Sequence, residues 1–434
     1  MSMKKYIAKL LLAVMILTML PLGETKVSAK EMSAQAVLNS MTTEEKVAQM
    51  LMVALPTGAD GAVGATELSE DARNMFLSYG LAGVILYRDN LTATGQSVGL
   101  INDIQKANDS IENRPALFVA TDHEGGLVWR LPSGIKFSGN MAIAATGDTL
   151  NATKAGQVMG AELAKTGFNV DFAPVTDVNS NPSNPVIGTR AFSDDPATVA
   201  SYSVAMMKGL SSGEGGPGGV LTSLKHFPGH GDTTLDNQTG FVVVGKSYDE
   251  LRQNELVPFQ ACIDAGCDMI MAGHICLPAI ETSSYVSIKD GNPVSVPASL
   301  SQTVLTGILR TDMHFNGVII TDALSMGAVA ENFSAQDAAR LAINAGADIL
   351  LQPVTGGLGA LSDYISGVVS QVESGQIDVG KVDAAVLRIL KLKEKRGLLD
   401  GYADSGIKER TENAAEFIGS KAHKDAEWQL AKKS

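Results

Sequence analysis

The feature that most constrains this chain is an eightfold alternation. After residue 29, apolar runs of strand length recur, and most are separated by longer segments of helical character. The runs are Met50–Leu55, Ala82–Tyr87, Ala116–Ala120, Val170–Pro174, Val220–Leu224, Met269–Met271, Gly317–Ile320 and Asp348–Leu351. Candidate helices lie at Ala72–Tyr79, Ala152–Lys165, Ala197–Gly209, Asp249–Ala265 and Ala335–Asn344, several with glycine near the C-terminal end. Continuous apolar strands joined by helical crossovers are the pattern of a parallel sheet covered by helices. Eight such units predict an α/β chain folded as a (β/α)₈ barrel. At 434 residues, 45% hydrophobic and 19% charged, the sequence has enough apolar material to bury a core of that size.

The positions of the reactive side chains support a barrel. Thr121-Asp122-His123-Glu124, Asp177, Lys225-His226, His274 and Asp322 each follow the last apolar residue of a predicted strand. That is the end at which barrels of this class assemble active sites. A single acid after a strand is as often the N-cap of the next helix. Five such sites at the same end of successive strands are not explained by capping.

Two segments carry most of the chemistry. Ser223 to Asp236 leaves a strand, passes Pro228, Gly229 and Gly231, and gathers Lys225, His226, His230, Asp232 and Asp236 on one loop. Val318 to Met326 places the single carboxylate of Asp322 at the mouth of a buried strand. A carboxylate held there can attack the anomeric carbon of a sugar if a proton donor stands across the scissile bond.

With Asp122-His123-Glu124-Gly125-Gly126 and the run Asn184 to Ser193, these segments resemble family 3 glycoside hydrolases, in particular the β-N-acetylhexosaminidase branch. The resemblance extends over roughly Leu38 to Leu399. It implies a (β/α)₈ barrel, release of terminal β-linked N-acetylhexosamine and retention of configuration through a covalent glycosyl-enzyme. It makes Asp322 the nucleophile, and it makes Asp122, Arg130, Arg190, Lys225 and His226 the residues that hold the sugar. Charged groups converging on vicinal hydroxyls suit that task, since they fix the ring and strengthen as the oxocarbenium-like state forms.

The sequence departs from the family at the acid/base. In this branch the loop continues Asp-Ser-His, and that histidine, oriented by the aspartate, protonates the leaving oxygen; here the triplet is Asp236-Asn237-Gln238. A glutamine donates a hydrogen bond but cannot cycle a proton, and loss of a general acid/base costs typically ~10²–10⁴ in rate. Three expectations follow. His230, Asp232 or Asp236 supplies the proton; or the chain uses another acceptor or glycoside; or it binds saccharide without turnover. His123 and Leu127 stand where the family has Gln and Arg, which predicts one cationic contact fewer near the sugar entrance.

The first 29 residues combine Lys4, Lys5 and Lys9, an apolar run from Leu10 to Leu20 and a Val27-Ser28-Ala29 end. They read as a cleaved signal peptide, because the apolar run is shorter than the ~20 residues of a spanning helix. A secreted or cell-wall-associated location, without stable membrane insertion after cleavage, is expected. Cleavage takes away four lysines and one glutamate, moving the formal charge from −13 to −16. Such acidity argues against nucleic acid as a partner and leaves carbohydrate as the expected one. Cys262, Cys267 and Cys276, odd in number and set in one apolar stretch, read as buried free thiols. No metal and no cofactor are implied, since a glycosidic bond between two acid/base groups needs only water.

Residues 30–399 are expected to form the barrel. Asp400–Lys408 reads as a linker and Arg410–Lys433 as one charged, solvated helix, the remnant of a connection to a second domain and packed loosely on the surface. Two rival classes remain at this stage. His226, His230, Asp232 and His274 offer ligands to a metal-dependent hydrolase. However, Pro228 and Gly229 put the first two on irregular backbone instead of one helical face. The other rival is a non-catalytic saccharide-binding protein.

Overall fold

A computed structural model describes residues 33–56, 64–213, 219–233, 240–402 and 406–434. The proposed signal peptide lies outside these residues. The eight apolar runs form eight strands: β1 (Leu51–Ala54), β2 (Gly83–Ile85), β3 (Phe118–Thr121), β4 (Val170–Asp171), β5 (Leu221–Phe227), β6 (Met269–Ala272), β7 (Val318–Thr321) and β8 (Leu350–Leu351). Their order in the sheet is β7-β6-β5-β4-β3-β2-β1-β8, with every neighbouring pair parallel. Ile320 bridges Ile349 in parallel, and the Thr321 N–H donates to the Ile349 carbonyl at 3.0 Å, which closes the ring between β7 and β8. The fold is the (β/α)₈ barrel that the alternation predicts.

Closure explains the apolar character of the strands. Each faces helices on one side and the barrel interior on the other, so neither face can be polar at low cost. The residues of β1, β2, β3, β6 and β7 are all buried. β5 runs longer than predicted, so Lys225 and His226 lie within the strand and not after it. The expected Asp249–Ala265 helix is two helices, Tyr248–Gln253 and Leu256–Asp264. Between them Asn254 leaves helical geometry at φ −132° and ψ −82°. The break puts Pro258 in the first turn of the second helix, where its missing N–H leaves no bond unmade. All three cysteines are free; Cys262 and Cys276 are buried as expected, whereas Cys267 is half-buried at the turn after this helix.

The C-terminal segment differs from its sequence-based expectation. It forms two helices, Ile407–Phe417 and Lys421–Ala431, and the break between them is pinned to the barrel. The fully buried Glu162, on the Thr149–Thr166 helix, accepts from the Gly419 N–H at 2.8 Å and pairs with His423 Nδ1 at 2.7 Å. Its other oxygen accepts from the Ile135 N–H at 2.7 Å. Ala414 and Ile418 complete the attachment by packing on Val98. The tail is anchored because one buried carboxylate needs donors from several segments.

A second buried ion lies on the Val379–Lys395 helix. Lys393 is wholly buried, its Nζ has no hydrogen-bond partner among the described residues, and it sits 5.1 Å from the centre of the Phe118 ring. Burial pulls its pKa down to about 7. An unfolded lysine titrates near ~10.4, so between these values the unfolded chain binds more protons and stability rises with pH. Replacing Lys393 with Met is expected to stabilise the fold by ~1–4 kcal/mol near neutral pH and to flatten that rise, as read by denaturant melts from pH 6 to 10. The opposite change is expected at the C-terminal anchor. His423→Ala, which strips one partner from Glu162, should lower stability by ~1–3 kcal/mol in the same assay.

Candidate active site

Asp322 follows β7 directly, and its backbone N–H donates to the Ala272 carbonyl of β6 at 2.8 Å. The Ala323 N–H donates to Asp322 Oδ1 at 2.7 Å, which fixes one carboxylate oxygen and leaves the other to face the cavity. Burial alone would raise the carboxyl's pKa. His274, His226, the Ala323 N–H and Lys225 outweigh it, and Asp322 stays below the usual aspartate value. His274 is buried and held below its own ordinary pKa by burial. At neutral pH it therefore acts as an oriented dipole between Ser299 Oγ, at 2.7 Å, and the Ala323 carbonyl, at 2.9 Å.

Across the barrel mouth, buried charges alternate in sign. Lys225 Nζ, from β5, lies 2.6 Å from Asp122 and 2.8 Å from Glu124, both just beyond β3. Arg190 closes on Glu124 as a fork, Nε to Oε2 and Nη2 to Oε1, each at 2.8 Å. Arg130 Nη2 stands 3.8 Å from Asp122. Burial would drive the Lys225 pKa down, but Asp122 and Glu124 hold it above the ordinary lysine value. Burial would likewise raise Glu124, and Lys225 and Arg190 reverse it, holding the carboxyl well below the usual range. Lys225 and Glu124 are therefore ionised throughout the neutral range.

A third group orders the loop after β5. Asp177, fully buried, takes His226 Nδ1 on Oδ2 at 2.8 Å and accepts the His226 and His230 N–H groups on Oδ1 at 3.1 and 2.7 Å. The chain can turn back this tightly because Gly231 presses on the Val178 carbonyl, which a Cβ would approach to 1.8 Å, and Gly229 adopts φ +134° against Glu255. His230 then lies almost wholly buried at the cavity wall, its ring centre 5.8 Å from that of His226. Thr233 Oγ1 meets His230 Nδ1 at 2.8 Å and the His230 carbonyl at 2.9 Å. A hydroxyl donating to that carbonyl accepts from Nδ1–H, so Nε2 carries the lone pair. Nε2 is buried with no partner among the described residues, and burial together with His226 lowers the ring's pKa.

Asp322, His230, Asp122, Arg130, Arg190, Lys225 and His226 thus surround a single cavity of about 680 Å³. Asp236 and Gln238 lie outside the described residues. Side chains not singled out from the sequence also line the cavity, among them Tyr87, two residues past β2, the carboxylate Asp89, and Gln352, next after β8. Tyr87 donates its hydroxyl to Gln352 Oε1 at 2.8 Å. Glu124 was visible in its motif, but its role as the partner shared by Lys225 and Arg190 was not. Its adjacency to a strand end was the available signal. His123 does not reach the entrance: it is buried, its pKa pushed down to about 4 by burial, and its Nδ1 accepts the Arg130 N–H at 3.1 Å. Leu127, by contrast, is 83% exposed. Among the described residues, no group of three or more His, Cys, Asp or Glu side chains is arranged to hold a metal ion. Arg130 Nε and His230 Nε2 are buried and without a hydrogen-bond partner among the described residues.

The chain is similar to known glycosidases in sequence and fold. The chain is 35% identical over 418 residues to the beta-hexosaminidase A of Pseudoalteromonas piscicida, which covers 92% of this chain and 67% of that protein. It superposes with a TM-score of 0.74 and 32% identity on a glycoside hydrolase family 3 beta-N-acetylglucosaminidase from a Paenibacillus species, covering 87% of this chain and 69% of the other. A TM-score of 0.76 with 27% identity relates it to the beta-glucoside phosphorylase BglX, over 92% of this chain and 66% of that one. With residues 42–392 matching the model of the glycosyl hydrolase family 3 N-terminal domain, the chain belongs to glycosyl hydrolase family 3.

Proposed function

We propose that this protein is an exported retaining exo-glycosidase that releases terminal β-linked N-acetylhexosamine from cell-wall or chitin-like glycans. Among the described residues, no helix is long and apolar enough to cross a membrane. Export rests on the N-terminal sequence, and the substrate class on the hexosaminidase relatives. The observation that carries the reading is that Asp322, ionised and held by Ala323, and His230, whose Nε2 has no partner among the described residues, line the same cavity. In this scheme Asp122, Arg130, Arg190, Lys225 and His226 bind the sugar's hydroxyls. The free oxygen of Asp322 attacks the anomeric carbon, the bond to the leaving oxygen breaks, and that oxygen takes a proton. Water then attacks the glycosyl-enzyme, giving its proton to a base and its hydroxyl to the anomeric carbon, and Asp322 is released.

His230 is the proton carrier in this scheme, in place of a histidine at Gln238. Its lowered pKa keeps the ring largely unprotonated near neutral pH, available as the base of the second step and scarce as the acid of the first. Glycosides with poor leaving groups should therefore turn over faster as pH falls below 7, until Asp322 begins to protonate at a lower pH. Activated aryl glycosides need little protonation and should show a flatter acid limb.

The direct test is aryl release from an activated N-acetyl-β-glucosaminide. Asp322→Asn is expected to reduce kcat at least ~10³-fold with the fold intact. His230→Ala should cost ~10²–10⁴ on an unactivated disaccharide and much less on the aryl substrate. A native chain silent across a panel of activated sugars would instead make it a saccharide-binding protein. Equal losses on both substrates for His230→Ala would place the proton on another group, Asp236 first.

A further inference from the structure

Cys262 and Cys267 stand at the two ends of one turn. The Leu256–Asp264 helix stops where Gly266 takes φ +86°, and two backbone hydrogen bonds close the stop. The Gly266 N–H donates to the Ile263 carbonyl at 2.9 Å, and the Cys267 N–H donates to the Cys262 carbonyl at 3.0 Å. That pair of bonds is the Schellman arrangement, in which the side chains of the two outer residues commonly meet. Here both outer residues are cysteine. Two residues joined by a main-chain hydrogen bond also fall within the ~4.4–6.8 Å between Cα atoms that a disulfide spans.

The third cysteine is placed elsewhere. Cys267 precedes β6 and Cys276 follows it, so the length of a four-residue strand, about 13 Å, keeps them apart. Cys276 is buried and its Sγ–H donates to the Ser295 carbonyl at 3.7 Å. Three free thiols thus divide into one facing pair and one single group.

We propose that Cys262 and Cys267 become linked as a disulfide when the chain folds in the presence of a disulfide oxidant, and that the link braces the turn into β6. The thiolate of one cysteine attacks the oxidant's S–S bond, giving a mixed disulfide and one released thiol. The thiolate of the other then attacks the protein-side sulfur, forming the new S–S bond and releasing the second thiol. Two protein thiols are oxidised, one oxidant disulfide is reduced, and the two protons end on the released thiols.

Burial sets the order of events. It raises the Cys262 thiol to about 12 and the Cys267 thiol well above its ordinary value, so in the folded chain neither offers much thiolate near neutral pH. The link therefore forms before the helix packs, between residues five apart, where closing the loop costs little entropy. Its position matters because β6 supports its neighbour. The Asp268 carbonyl, next after Cys267, accepts from the Val318 N–H of β7 at 2.9 Å, and the Ala272 carbonyl accepts from the Asp322 N–H at 2.8 Å.

The test refolds the reduced full chain in a glutathione redox buffer, blocks the remaining thiols with iodoacetamide in denaturant, and reads the intact mass and fragment spectra. One blocked thiol, at Cys276, is expected, with the mass of two hydrogens lost between Cys262 and Cys267. Cys276→Ala should leave no thiol to block, and Cys267→Ala should leave two. The oxidised chain should melt several degrees above the same chain refolded with dithiothreitol, a gap that Cys276→Ala keeps and Cys267→Ala removes. Three blocked thiols in the refolded native chain, or a link that includes Cys276, would overturn the assignment. A link that leaves the melting midpoint unchanged would overturn its role as a brace. Either failure would leave the glycosidase reading standing, since aryl release is measured separately.

Discussion

The catalytic end of the barrel depends on one buried cation. Lys225 projects from β5 into a place where its side chain is 3% exposed, and two carboxylates make that tolerable. An isolated ammonium in such surroundings would lose its proton, as the lowered pKa of Lys393 illustrates on the same chain. Asp122 and Glu124 reverse the effect, and Arg190 in turn holds Glu124. The consequence is geometric as much as electrostatic. Because removal of any member strands a neighbour's charge, β3, β5 and the Gly188–Arg190 turn are locked in one arrangement. A ligand meets preset donors and acceptors and need not organise them.

Asp177 and Glu162 extend the same logic away from the cavity. Each is a fully buried carboxylate satisfied by several donors. Asp177 uses the His226 ring and two backbone N–H groups to fold the loop after β5, so His226 and His230 face the cavity from adjacent positions. Glu162 joins the C-terminal helices to Ile135, on the segment that follows Arg130. Buried acids on this molecule serve as assembly points. Asp322 differs: the described residues give its side chain one hydrogen bond, from Ala323, and its second oxygen faces the cavity.

The histidines show how local environment divides one residue type into several roles. His123 lies under the loop as a neutral acceptor for Arg130, His274 bridges Ser299 and Ala323, and His226 is fixed by Asp177. In His230 one nitrogen is engaged by Thr233 and the other is buried without a partner among the described residues. Burial lowers the pKa of His123, His230 and His274 alike, so their differences in role come from hydrogen-bond partners.

The barrel was legible in the sequence because a parallel strand covered on both faces must be apolar along its length, and eight such runs are hard to hide. The clustering of Asp122, Lys225, His226 and Asp322 was legible for a related reason: the fold brings strand ends together whatever the loops do. Other features were not local. That Glu124 serves both Lys225 and Arg190, that Glu162 reaches Ile135, Gly419 and His423, and that Tyr87 meets Gln352 across 265 positions are pairings between distant residues, set only when the ring closes. The split of the Asp249–Ala265 helix and the anchored C-terminus were missed likewise, because hydrophobic periodicity reports which face is buried and not which buried polar group demands a partner. Sequence by itself determined the repeating architecture and the chemical inventory at one end of it. The tertiary structure decided which charges pair, and hence which groups remain free to act, because desolvation makes each buried charge depend on neighbours far away in the chain.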